Sequence, residues 1–205
     1  DPDFVAKAAA GKAAEIAPCI ACNQACLDHT FGGKISSCLV NPRACYETEL
    51  TLPPAETVKS IAVVGAGPAG LSTAIAAAQR GHNVSLFDAA NEVGGQLNMA
   101  KQIPGKEEFW GLVDWYRTML AQTGVSVHLN TAVDAGMLAD FDEVVIATGV
   151  SPRDPQIPGQ DSDTVVDYID VLRHKVDVGA RVAVIGAGGI HGVARVHQID
   201  KVHAF

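Results

Sequence analysis

Five cysteines pose the first chemical question in this sequence. Cys19, Cys22, Cys26, Cys38 and Cys45 all fall in the first quarter of the chain, and none follows. A disulfide framework spreads through a domain, whereas clustering of this kind reads as a metal or cluster site in a reducing compartment. The spacing is Cys19-x2-Cys22-x3-Cys26-x11-Cys38. Structural zinc pairs its ligands in two separated knuckles. Three close cysteines and a distant fourth favour a [4Fe–4S] cluster, since one tight loop can hold three corners of a cube. Zinc stays open as the alternative. Cys45 reads as an ordinary buried thiol, and Asp28 and His29 as polar loop residues.

The second chemical signal is Gly65-Ala66-Gly67-Pro68-Ala69-Gly70, with Asp88 lying 18 positions after the third glycine. Gly65 permits a tight turn, Gly67 lets backbone approach a pyrophosphate, and Gly70 lets helix and strand pack closely. The free N–H groups and positive dipole end of a helix would face the phosphates. Asp88 can accept hydrogen bonds from a ribose hydroxyl. FAD and NAD share this fingerprint. A second turn, Gly186-Ala187-Gly188-Gly189, implies a second dinucleotide. Its pattern breaks at His191, where a third glycine is expected, and Gly192 comes one position late. His191, His197 and His203 crowd the tail without a carboxylate or cysteine partner. They read as a compositional accident or a damaged end rather than a metal site.

These groups need elements to position them. Residues 60–64 form a short buried strand, Leu71–Arg80 a helix stopped at Gly81, and residues 83–87 a second strand ending at Asp88. Together they make a βαβ opening unit. Phe109, Leu112, Val113, Tyr116, Met119 and Leu120 recur at helical spacing over 107–122. Further strands are expected at 125–129, 143–147 and 181–185, with a short helix at 167–174. Thr51–Val58 carries two adjacent prolines and reads as a linker. The organisation expected is therefore a cluster segment at 1–50 and a linker at 51–59. A Rossmann-like α/β domain with a parallel sheet follows at 60–178, and a second nucleotide domain begins at 179–205.

Composition limits the function classes. The chain has 205 residues and a formal charge of −8, without the basic face that nucleic-acid binding needs. Hydrophobic residues make up 48% and charged residues 19%, which is enough to bury a core. No apolar run reaches the ~18 residues of a membrane span. No secretory signal opens the chain, which points to the cytoplasm. The first residue is Asp, which suggests a segment of a longer protein.

Several runs together resemble a known family. They are Cys19-Ile20-Ala21-Cys22-Asn23-Gln24-Ala25-Cys26, Ser37-Cys38-Leu39-Val40-Asn41-Pro42-Arg43, Val64–Gly70, and Lys101-Gln102-Ile103-Pro104-Gly105-Lys106-Glu107-Glu108-Phe109. They are similar to the bacterial NADPH-dependent 2,4-dienoyl-CoA reductases and, more distantly, to trimethylamine dehydrogenase and related enoate reductases. The resemblance tilts the first turn to FAD. Gly94-Gly95-Gln96 and the strand 143–149, ending at Gly149, are habits of such flavoproteins.

The resemblance implies Cys19, Cys22, Cys26 and Cys38 as cluster ligands. It implies FAD contacts at Gly65, Gly67, Pro68, Ala69, Gly70, Asp88, Gly95, Gln96, Lys106, Val133 and Gly149. The start of an NADPH site falls at Gly186, Gly188 and Gly189. In the family, NADPH reduces FAD, and single electrons then reach FMN in an N-terminal barrel that reduces the dienoyl-CoA. The barrel and most of the NADPH domain are absent from this sequence. The chain is thus expected to be the electron-entry middle of such an enzyme, not competent alone and a weak NADPH binder. A partner module of a trimethylamine dehydrogenase-like flavoprotein, or a zinc-loop nucleotide-binding domain without catalysis, remain alternatives.

Overall fold

The β-branched run ending at Val64 forms an inner strand, β1 (Ser60–Val64), of a parallel sheet in this computed structural model. Residues 1–152, 154, 156–185 and 201–204 are described. The chain divides into two units, the first comprising residues 1–101 and 106–149. In it, β1 leads to helix α3 (Pro68–Gln79) and strand β2 (Asn83–Phe87). Strands β3 (Ser126–His128) and β4 (Glu143–Ile146) complete the order β3-β2-β1-β4, all parallel. Val64 pairs with Phe87 on one side and Ile146 on the other, so the strands end together at one edge.

The expected helix and strand positions hold, with one informative shift. Helix α3 starts at Pro68 rather than Leu71. Pro68 takes a first-turn position, where its missing N–H is no loss and its fixed φ suits a helix. Gly81 follows the helix with φ +94°, a left-handed stop that favours glycine.

Helix α5 (Glu108–Thr123) buries Leu112, Val113, Tyr116, Met119 and Leu120 as one stripe. Gly124 closes it at φ +72°, with its N–H donating to the Leu120 carbonyl. The stripe packs with Leu71, Ile75, Val63 and Leu86 into the core. Each fully buried Leu or Val contributes roughly 1.5–3 kcal/mol. Between the two helices the Tyr116 and Ser72 hydroxyls hydrogen-bond at 2.9 Å.

The cysteine-bearing segment belongs to this same unit. It contains short helices α1 (Phe4–Ala9) and α2 (Leu27–Phe31), with a single 3-10 turn at Ala13–Glu15. Ile20 and Val40 pack against the core, and the Trp115 indole donates to the Glu15 carbonyl at 3.0 Å. Thr51–Val58 has neither helix nor strand, but it is fastened to the end of α3. The Ala55 N–H donates to the Arg80 carbonyl at 2.8 Å, and Arg80 Nε donates to the Pro53 carbonyl at 3.0 Å.

The second unit gathers residues 102–105 with the described residues from Val150 onward. Strand β5 (Val165–Asp167) runs into α6 (Tyr168–Leu172), whose first turn is capped by Asp167, its carboxylate accepting from the Ile169 N–H at 2.7 Å. Strands β6 (Val182–Ile185) and β7 (Lys201–Ala204) complete a parallel three-stranded sheet, order β5-β7-β6. Strand β7 lies in the tail for which the sequence signalled no element. Among the described residues no helix is long and apolar enough to cross a membrane.

Candidate functional site: a glycine turn at the sheet edge

The turn after β1 is shaped by contacts that only glycine permits at two positions. Gly65 holds φ +109°, and a Cβ there would collide with the Ala147 carbonyl. At Gly70 a Cβ would strike the Gly65 carbonyl oxygen. Both glycines therefore serve the protein's own packing. Gly67 differs, because a Cβ there would meet no protein atom within 4 Å. Its bare backbone borders open space, which is what close approach by a pyrophosphate requires. Helix α3 begins at that point with no side-chain cap, so its first-turn N–H groups have no intrahelical partner. Pro68 and Ala69 are exposed in this first turn.

Three separate segments converge on the turn. Asp88, just past β2, is half-buried. Its carboxylate accepts from the Ala66 N–H at 2.6 Å and from the Ala90 N–H at 2.7 Å. The residue expected to hold a ribose therefore also fixes the turn. The Gly94 N–H donates to the Ala66 carbonyl at 2.8 Å, and a Cβ on Gly95 would stand 2.9 Å from the Gly67 α-carbon. This glycine pair, with φ of +120° and +54°, lies directly on the first turn. Behind it, the Ala147 N–H donates to the Val64 carbonyl at 2.7 Å, which brings the segment ending at Gly149 (φ +77°) to the same edge.

Val133 follows a loop tied to Asp88. The Thr131 N–H donates to the Asp88 carbonyl and the Asn130 N–H to the Ala90 carbonyl, both at 2.8 Å. Gln96 is exposed beside the glycine pair, at the start of helix α4 (Leu97–Ala100). Lys106 has a different neighbourhood, with its Nζ 6.0 Å from the centre of the Phe109 ring. Sequence reasoning passed over Ala147, whose carbonyl walls the turn, and the side chains behind the glycine pair. Only packing reveals these. The second turn, with Gly186, Gly188, Gly189, His191, Gly192 and His197, lies outside the described residues. For His203 only its place in β7 is described.

The cysteine loop offers the chemistry of a soft-metal site. All five thiols are free, with Cys19 and Cys26 exposed and Cys22 and Cys38 partly exposed. Ala21 (φ +52°) and Asn23 (φ +57°), on either side of Cys22, both adopt left-handed backbone. The Ser37 N–H donates to the Ala25 carbonyl at 2.6 Å, so the residues beside Cys26 and Cys38 lie together. His29 Nδ1 is engaged with the Ile35 carbonyl at 3.0 Å, in keeping with a polar loop residue. Arg43 Nε, in the same segment, is buried without a hydrogen-bond partner. Yet no three His, Cys, Asp or Glu side chains stand close enough to share a metal ion among the described residues. The donor set fits a cluster, but its geometry is not closed. Cys45 is exposed, with φ +64°, and so departs from the buried thiol expected.

A parallel sheet with a glycine turn and an acidic residue at its carboxyl edge defines a dinucleotide-binding domain of Rossmann type. Residues 59–193 match the family described as pyridine nucleotide-disulphide oxidoreductase, and the chain belongs to that family. It is 38% identical over 196 residues to a metal reductase of Desulforamulus reducens, covering 93% of this chain and 29% of that protein. It is 35% identical to a bilirubin reductase of Mediterraneibacter gnavus, covering 92% of this chain and 30% of the relative. Among solved structures, a 2-naphthoyl-CoA reductase in complex with 2-naphthoyl-CoA superposes with a TM-score of 0.87 at 34% identity. That match covers 91% of this chain and 29% of the other. The chain thus spans about 30% of the length of these relatives. It carries an FAD/NAD(P)-binding, Rossmann-like oxidoreductase domain of the kind these reductases contain.

Proposed function

We propose that this chain is the electron-entry segment of an NADPH-dependent reductase acting on an unsaturated acyl-CoA of the 2,4-dienoyl type. It would bind FAD at the glycine turn and a [4Fe–4S] cluster at Cys19, Cys22, Cys26 and Cys38. The observation that carries the reading is the convergence of Gly67, Gly95 and Asp88 at one sheet edge, with the cysteine loop seated on the same core through Ile20 and Val40. The acyl-CoA class is supported by similarity to the 2-naphthoyl-CoA reductase. FMN and the acyl-CoA site belong, on this reading, to a barrel in the full-length enzyme.

FAD held here would supply redox chemistry that links a two-electron hydride donor to a one-electron cluster. The chain's own residues bind and orient. Gly67 leaves room for the pyrophosphate, and the first-turn N–H groups of α3 donate to it. Asp88 retains lone pairs for a ribose hydroxyl while both its oxygens hold backbone amides. On this reading Pro68, Ala69, Gln96 and Gly149 would border the FAD site, Gly70 keeps its turn packed, and Val133 and Lys106 are contacts implied by the family resemblance alone. Gly186, Gly188 and Gly189 would begin the NADPH site.

The test is reconstitution of the chain with FAD, iron and sulfide, followed by an anaerobic visible spectrum and iron, sulfide, zinc and flavin assays. Flavin bands over a broad cluster absorption, with about four iron atoms per chain, are expected. Zinc uptake without labile sulfide would sink the cluster assignment, and failure to retain FAD would sink the flavin site.

A further inference from the structure

Lys101 is buried, at 6% exposure, although its side chain ends in a charge. Taking an ammonium out of water is costly unless its surroundings replace the lost hydration. Its Nζ donates to Asn98 Oδ1 at 2.8 Å, lies 4.1 Å from the centre of the Trp110 ring and stands 3.9 Å from a Glu92 carboxylate oxygen. The Trp110 indole N–H donates back to the Lys101 carbonyl at 3.1 Å. Glu92 is shared with Arg117, at 3.4 Å, on the exposed side.

These contacts lead to the glycine turn. Asn98 Nδ2 donates to the Val93 carbonyl at 3.0 Å. The next residue, Gly94, donates its N–H to the Ala66 carbonyl, and Gly95 lies against Gly67. A left-handed glycine pair is entropically expensive to order. The helix behind it, α4, is a single turn and too short to be stable alone. Something outside the pair must hold it in place, and Lys101 with Asn98 is the polar anchor beneath it.

We propose that Lys101 is a positioning residue for FAD. Its buried ammonium fixes Asn98, Asn98 fixes the Val93–Gly95 loop, and that loop holds the pyrophosphate cradle in shape before the cofactor arrives. The inference rests on the reading of the glycine turn as the FAD site. Preorganisation of this kind adds affinity by removing the ordering cost of binding.

The experiment titrates the 205-residue chain with FAD alone, following flavin fluorescence, and measures the melting temperature of each variant without FAD. Lys101→Met should weaken FAD binding about 10-fold, the factor that about 1.4 kcal/mol produces. Its cofactor-free melting temperature should change little, because Glu92 is half-exposed and keeps Arg117 as its partner. Lys101→Arg, which keeps the charge over Trp110, should recover most of the affinity. Asn98→Asp leaves Lys101 its partner but loses the bond to the Val93 carbonyl, and it should weaken FAD binding as well.

Wild-type affinity in Lys101→Met would overturn the proposal. So would a parallel fall in affinity and cofactor-free stability that Lys101→Arg does not rescue, since that marks a merely structural role. If Lys101→Met fails to fold, Asn98→Asp decides, and wild-type binding by that variant refutes the relay. Failure of the wild-type chain to bind FAD would remove the underlying site and the proposal with it. Loss of the Lys101 effect alone leaves the site standing.

Discussion

The Asp88 carboxylate is engaged by two backbone N–H groups before any cofactor is considered, so substitution there acts twice. Asp88→Ala would remove the proposed ribose acceptor and also free the Ala66 amide of the turn. A hydrogen bond to a charged group is worth ~1.5–3 kcal/mol, so FAD affinity should fall roughly 10- to 100-fold in a fluorescence titration. Asp88→Asn keeps one acceptor oxygen and should lose less. Unchanged binding in Asp88→Ala would take the residue out of the site. The cysteines separate in the same way. After reconstitution, Cys26→Ser should abolish the broad visible absorption, whereas Cys45→Ser should preserve it. Equal loss in both would show that the ligand set is wrong.

At the scale of elements, the turn and the α3–α5 pair make distinct predictions. Gly70→Ala drives a Cβ into the backbone carbonyl of Gly65, which has no flexible side chain to yield. A loss of about 3 kcal/mol, the upper end of overpacking costs, is expected in chemical denaturation. Little or no loss would mean that α3 and β1 can separate freely. Tyr116 is buried, which pushes its phenol up from the usual value while its bond to Ser72 pulls the other way. With the folded pKa raised, its stabilising contribution is complete below the unfolded value, about 10, and is lost as pH rises beyond it. Tyr116→Phe should cost about 1 kcal/mol at neutral pH. It should also lose less stability than the wild type between pH ~9 and ~11. Melting curves at the two pH values check this, and parallel declines would contradict it.

For the whole molecule, the question is how electrons enter. The family match extends to residue 193 and so includes His191, where the second fingerprint would take its third glycine. The third glycine of such a fingerprint serves close packing of helix on strand, a role that histidine does not fill. The chain also spans about 30% of its relatives' length. With FAD loaded anaerobically, dithionite should bleach the flavin at once, since it needs no nucleotide site. NADPH at high micromolar concentration should bleach it only slowly. Rapid bleaching by NADPH would show that His191 is accommodated in a working site.

What the sequence determined by itself was local. The strand 60–64, the turn at Gly65–Gly70, helix α3 and the strand ending at Asp88 were legible because neighbouring residues carry their causes. These causes are β-branched runs and glycines at left-handed or crowded positions; the start of α3 at Pro68 went unread. The apolar stripe of α5 was legible by its period, and the cysteine spacing by its donor chemistry. Tertiary structure alone decided which distant segments meet. It laid Gly95 on Gly67, walled Gly65 with Ala147, tied the loop before Val133 to Asp88, and seated the cysteine loop through Ile20 and Val40. It exposed Cys45, placed a strand at Lys201–Ala204 and buried Lys101. None of these follows from spacing. Each depends on many weak contacts between residues far apart in the chain, whose sum is fixed only when the core is packed.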